Sequence, residues 1–294
     1  MPPALKNCLT IDVEDYFQVN AFAAHVRQDQ WDSFPLRVGD NTHRILDILD
    51  SYNIKATFFV LGWVAEQLPT LAREIHLRGH EIACHGYGHE LIYEIGPDRF
   101  RADIRRSKML LEDQTGVQVN GYRAPSYSIT GKSLWALDIL VEEGFTYDSS
   151  IFPILHDTYG IPDAQRFPHT IQTGAGSLAE FPLTTLSLHL GWKKMHLPIA
   201  GGGYLRLLPA ELIRRGILSI NNREQQPAVL YFHPWEIDPD QPRIKAGMKS
   251  RFRHYLNLRR TEKKLHHLFG SFRFAPMKDV LVELLRTQLI TEAQ

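Results

Sequence analysis

Apolar positions along the chain change period again and again, and each change marks an element. Residues 8–13 are a mostly apolar run of strand length. Ile45, Leu46, Ile48, Leu49 and Tyr52 then recur at helical spacing. Residues 55–61 are rich in aromatic and β-branched side chains, which predicts a second strand. A helix is expected from Pro69, a favoured first-turn residue, to Gly79, a C-terminal cap. Residues 81–84 read as a third strand, residues 97–116 as a helix bracketed by Pro97 and Gly116, and residues 121–123 as a short strand. Thr130 can cap a helix that ends at Gly144, Pro209 opens another, and a last helix is expected near residues 277–289. Strands at 145–148, 179–183 and 228–233 complete the pattern.

Strands alternating with helices predict a parallel sheet. About seven strand units predict an α/β fold shaped as a distorted (β/α) barrel, with functional residues where the strands end. Residues 152–203 are rich in Gly, Pro and His and are expected as long loops over that active-site face. A single domain over residues 1–294 is expected, with a basic helical C-terminal extension from about residue 241.

The net charge is zero, so no long-range field points to a nucleic-acid partner. No run approaches the ~18 apolar residues that a membrane span needs. The N-terminal residues lack the pattern of a secretory leader, and a cytoplasmic location is the expectation. The two cysteines, Cys8 and Cys84, lie in strand-like runs and read as buried thiols. Oligomeric state is left open.

The polar residues at the strand ends carry the chemistry. Asp12, Glu14 and Asp15 close the first strand, and three carboxylates so close together call for a cation nearby. His85 and His89 follow the third strand in His-Gly-Tyr-Gly-His. Two histidines and a carboxylate with an open position are a catalytic zinc pattern. Arg123, before Ala-Pro-Ser-Tyr, can pair with a carboxylate, and N–H groups of the stiffened loop can face an oxyanion. His233 ends a very apolar strand beside Trp235 and can act as a general acid, with Asp148 as a residue that could orient it.

Taken in chain order, Asp12-Val13-Glu14-Asp15, His85 to His89, Arg123-Ala124-Pro125, Asp148 and Leu230 to His233 resemble the motifs of the polysaccharide deacetylase family, also called the NodB-homology or carbohydrate esterase family four domain. Later signatures, Tyr147-Asp148-Ser149-Ser150, Gly201-Gly202-Gly203-Tyr204 and His233-Pro234-Trp235-Glu236, resemble the members found in bacterial exopolysaccharide loci. The resemblance implies a NodB-like barrel and an N-deacetylase acting on a glycan or amino-sugar substrate. It implies Asp12 as base and Glu14, His85 and His89 as ligands of a divalent metal, most simply Zn²⁺, with Co²⁺, Ni²⁺ or Fe²⁺ as alternatives. Asp15 is the rival ligand. It implies that Arg123 orients Asp12, that His233 is the acid and that the Ser126 N–H receives the oxyanion; Tyr127, Trp192, Tyr204 and Trp235 could stack on sugar rings or equally serve as core or rim packing. Gly86 replaces a family Ser or Thr, and Ser126 a family Tyr. The rival readings are an allantoinase-like ring-opening amidohydrolase, which should lack Asp12, a glycan-binding barrel without turnover, and a structural subunit of a polysaccharide assembly complex.

Overall fold

The computed structural model describes residues 5–190 and 193–292. Among the described residues eleven strands occur in chain order: β1 (Lys6–Val13), β2 (Thr57–Val60), β3 (Glu81–Cys84), β4 (Gly121–Tyr122), β5 (Tyr147–Asp148), β6 (His169–Thr173), β7 (Gly176–Glu180), β8 (Thr185–Leu190), β9 (Lys193–Pro198), β10 (Val229–Phe232) and β11 (Arg273–Ala275). The helices are α1 (Val38–Ser51), α2 (Gly62–Gln67), α3 (Leu71–Leu77), α4 (Ile92–Thr115), α5 (Trp135–Glu142), α6 (Gly202–Leu207), α7 (Ala210–Ser219), α8 (Met248–Tyr255), α9 (Leu258–Phe269) and α10 (Met277–Glu292).

The main sheet runs β10-β1-β2-β3-β4-β5-β7-β6. Every pairing on this path is parallel except the β6–β7 hairpin. From Asn7 onward β1 is buried without a break, as expected for a parallel strand covered on both faces. The seven strands expected from the apolar runs are β1, β2, β3, β4, β5, β7 and β10. The fold is therefore the expected α/β arrangement around parallel strands. Among the described residues no strand pairing joins β6 to β10, so the hydrogen-bonded ladder ends at both edges.

Two differences from the sequence reading concern residues 152–203. β6, which forms a hairpin with the expected β7, and the β8–β9 hairpin stand where long loops are expected. β6 alternates between half-buried and exposed positions, which leaves it no apolar run to detect. The chain then passes close to β10, where Gly201 forms a parallel bridge to Tyr231. A Cβ at Gly201 would stand inside the Tyr231 ring, so only glycine lets the backbone approach. Gly201→Ala is expected to lower the unfolding free energy by about 1–3 kcal/mol, the usual cost of overpacking, measured by urea denaturation.

The segment expected as a basic helical extension also returns a strand to the sheet. β11 pairs in parallel with Lys6 to Cys8 of β1. Both cysteines are free and buried, as their apolar settings predict.

Candidate active site

The site is built at the end of β1. Side chains alternate along a strand, so Asp12 and Glu14 can share one side while Val13 faces the core. Asp12 Oδ1 accepts from Arg123 Nη1 at 2.6 Å. Arg123 follows β4 and has no exposed surface. Its Nη1 also donates to Thr10 Oγ1 at 2.8 Å, its Nε to the Ser149 carbonyl at 3.1 Å and its Nη2 to Ser149 Oγ at 2.9 Å. The guanidinium lies over the Phe59 ring. With all three nitrogens engaged, it can only present itself to Asp12 in one orientation.

Glu14 meets the histidine loop. His89 Nε2 stands 2.6 Å from Glu14 Oε2. That oxygen is buried, and no donor among the described residues is directed at it with hydrogen-bond geometry. His85 Nδ1 lies 2.8 Å from the Arg123 carbonyl, which accepts its proton and leaves Nε2 as the free lone pair. Donor atoms of Glu14, His85 and His89 all lie within 4.8 Å of one another. Burial pulls the His85 pKa down to about 4, so the imidazole is neutral at pH 7. Burial opposes ionisation of Glu14, but the facing charges of His89 and His233 outweigh it and hold the carboxyl far below its usual range. A neutral imidazole, an ionised carboxylate and an unsatisfied buried oxygen suit a divalent cation.

The loop between the histidines is held from α4. Asp103 accepts from the Tyr87 and Gly88 N–H groups at 2.8 and 3.0 Å. A Cβ on Gly86, at φ +71°, would approach Asp103 Oδ2 to 2.8 Å. Glycine at this position is thus linked to Asp103, a residue that no strand-end signal reveals.

His233 closes β10 and faces both carboxylates. Its Nε2 is 3.6 Å from Glu14 Oε1 and 3.8 Å from Asp12 Oδ2. Its Nδ1 is 2.6 Å from Glu236 Oε1, and Glu236 Oε2 accepts from buried Arg206 at 2.7 Å. Burial lowers the His233 pKa, but Glu14, Glu236 and Asp12 outweigh it and push it up to about 9.

Residues 30–144 match the polysaccharide deacetylase family model, a stretch that carries His85, His89 and Arg123. Over this stretch the chain is similar to the polysaccharide deacetylases. Residues 149–282 match a second model, a domain of unknown function, DUF3473. Among related sequences, a peptidoglycan-N-acetylglucosamine deacetylase of Bacillus cereus is 35% identical over 98 residues, 33% of this chain and 36% of that protein. The peptidoglycan deacetylase-like protein FGM2 of Gibberella zeae is 36% identical over 120 residues, 40% of this chain and 34% of that one. The matched stretch spans about a third of the length of these relatives. Two solved structures share the fold. A Mycobacterium smegmatis protein assigned to the polysaccharide deacetylases has a TM-score of 0.61 at 23% identity, covering 98% of this chain and 93% of that one. A Pseudomonas aeruginosa protein assigned likewise has a TM-score of 0.60 at 14% identity, covering 94% and 89%.

The family match begins after Asp12 and Glu14 and ends before His233, and the sheet brings the three together by placing β10 beside β1. Three sequence expectations need correction. Asp15 is not aimed at the histidines: Oδ1 accepts from Tyr16 N–H at 2.8 Å, and Oδ2 from the Arg37 and Val38 N–H groups at 2.7 and 2.9 Å, at the start of α1. Asp148 does not orient His233, because β5 lies across the sheet from β10. It accepts from Ser150 Oγ at 2.6 Å, and Ser150 Oγ in turn accepts from Ala124 N–H at 2.8 Å, so it supports the Arg123 loop instead. Glu236 is the partner of His233. Trp235 is buried and offers no open face to a sugar. It stacks between His233 and His254 at ring separations of 5.3 and 4.1 Å, and its Nε1 donates to Glu14 Oε1 at 3.2 Å.

Ser126 adopts φ +52°, within the loop after Arg123. Tyr127 is buried, with its hydroxyl 3.4 Å from Asp12 Oδ2 and its ring against Tyr231. Tyr204 is half-buried, and Trp192 lies outside the described residues.

Proposed function

We propose that this chain hydrolyses N-acetyl groups from amino sugars in a polysaccharide or glycan precursor. The observation that carries the reading is the division between two carboxylates two residues apart. Glu14 converges with His85 and His89, while Asp12 is clamped by Arg123, and His233 faces both. A divalent ion held by Glu14, His85 and His89, most simply Zn²⁺, would supply Lewis acidity to the acyl oxygen and to water. Asp12 takes the proton from the water that attacks the acetyl carbon. The Ser126 N–H offers a donor to the oxyanion. His233, kept protonated by its three carboxylate neighbours, gives its Nε2 proton to the amide nitrogen as the C–N bond breaks. The products are acetate and a free amine. The Bacillus cereus relative, a peptidoglycan-N-acetylglucosamine deacetylase, makes N-acetylglucosamine the first sugar to test.

Acetate release from N-acetylglucosamine oligomers is the direct assay. Chelator-stripped protein is expected to be inactive and to recover with one equivalent of Zn²⁺. Equal release with and without the ion would remove Glu14, His85 and His89 from the mechanism.

Glu236 supplies a separate check. The reaction needs protonated His233, so activity is expected to fall as pH rises through the histidine's raised pKa of about 9. Glu236→Gln removes one of the charges that raise it. The alkaline limb of the kcat profile is expected to move down by about one pH unit. An unmoved limb would mean that His233 does not set it.

A further inference from the structure

Between Gln241 and Tyr255 the sequence holds five cations, Arg243, Lys245, Lys249, Arg251 and Arg253, and no carboxylate. All five side chains are exposed, and among the described residues none forms an ion pair. Several surface arginines elsewhere are matched, Arg78 with Asp47, Arg105 with Glu143, Arg106 with Glu66 and Arg214 with Glu211, and the unmatched ones, such as Arg73 and Arg223, do not fall in such a run of cations. The unmatched charge of this segment sits with unmatched apolar surface. Met248 and Phe252 are one helical turn apart on α8, exposed to 87% and 65%. Side chains at this spacing share a face. Together with Arg243, Arg251 and Tyr255 they line an open groove of about 350 Å³.

Water is a poor solvent for such prongs, and the cations forbid burying them in an ordinary protein core. A bilayer interface with acidic headgroups accepts both: apolar tips enter the acyl boundary while arginine and lysine remain at the phosphates. Charge complementarity therefore favours one occupant. We propose that α8 and the strand-free segment before it dock this protein on an anionic lipid surface. The docking helix is wired to the site. Arg206 Nη1 holds the carbonyls of Arg253 and His254 at 2.7 and 2.5 Å, and His254 stacks on Trp235. The loop bearing Leu155, exposed to 87%, is close enough for the charges of Lys249 and Arg253 to act on His156. The surface that meets lipid thus adjoins the supports of His233, which suits a substrate presented at a membrane. The docking itself does not depend on the proposed reaction.

Vesicle co-sedimentation tests it with the full chain. Binding is expected to vesicles of phosphatidylglycerol and phosphatidylcholine, to be absent with phosphatidylcholine alone, and to weaken as salt shortens the reach of the charges. Met248→Ser/Phe252→Ser and Lys249→Glu/Arg251→Glu are each expected to weaken binding about ten-fold or more. These side chains are exposed, so both variants should keep the wild-type thermal midpoint and metal-dependent activity on soluble oligomers. Wild-type protein that ignores phosphatidylglycerol vesicles, or variants that bind them equally well, would overturn the proposal. Retention on polygalacturonate without vesicle binding would overturn it too and assign the patch to an acidic polymer. Competition by inorganic phosphate at millimolar levels that abolishes vesicle binding would likewise overturn it, as a site for the free anion.

Discussion

Asp12→Asn is expected to cut kcat/KM for acetate release by a factor on the order of 10²–10⁴, the usual contribution of a positioned general base. Asparagine keeps an oxygen for Arg123 Nη1 at the position where Asp12 Oδ1 now accepts. The fold and the ion set should therefore survive, because Glu14, His85 and His89 are untouched. The measurement is paired: kinetics on N-acetylglucosamine oligomers and metal content by mass spectrometry. Lost activity with one equivalent of metal retained places Asp12 in the proton transfer. Full activity would remove it from the mechanism, and lost metal would make it a ligand.

The largest effect on stability is expected at Arg123. Its guanidinium satisfies Asp12, Thr10 and both the carbonyl and hydroxyl of Ser149, all in the dry interior. Arg123→Met leaves buried Asp12 without its guanidinium partner, with only the longer contacts to Tyr127 and His233 at its other oxygen. Breaking such a pair from one side costs about 3–5 kcal/mol. Urea denaturation of the single variant should show this loss. The double variant Asp12→Leu/Arg123→Met is expected to be more stable than Arg123→Met alone, since no charge is then stranded. A double variant weaker than the single would show that packing, rather than the uncompensated carboxylate, sets the cost.

What the sequence reveals of this site follows from distance along the chain. Strand ends are legible because apolar runs stop there, and Asp12, Glu14, His85, Arg123 and His233 all stand at or just past such stops. The choice between Glu14 and Asp15 was not legible. Asp15 is taken by N–H groups of Arg37 and Val38, more than twenty positions away, and no local pattern foretells that. Asp148 looked equivalent to the other strand-end carboxylates, yet strand order, not strand position, decides what a residue can reach, and four strands separate β5 from β10 along the ladder. Glu236 was within sight. It lies three residues after His233, and its side chain returns to the His233 N–H at 3.1 Å in the manner of a capping box. Trp235 was misread because an aromatic beside a polar strand end looks the same whether it borders solvent or, as here, fills the space under Glu14.

The place of β1 between early and late partners has a consequence for synthesis. β1 leaves the ribosome before its late partners, and β10 and β11 pair with it only after residues 229–232 and 273–275 have emerged. Until then a strand that is buried almost throughout in the folded chain has an unpaired edge, and Asp12 and Glu14 have no His233 opposite them. A ribosome-bound chain short of β10 therefore cannot carry a complete site. Such long-range pairing also folds slowly and leaves sticky edges exposed while it waits. Activity should switch on late in translation, in one step, and nascent β1 is the segment that most needs shielding in the interval.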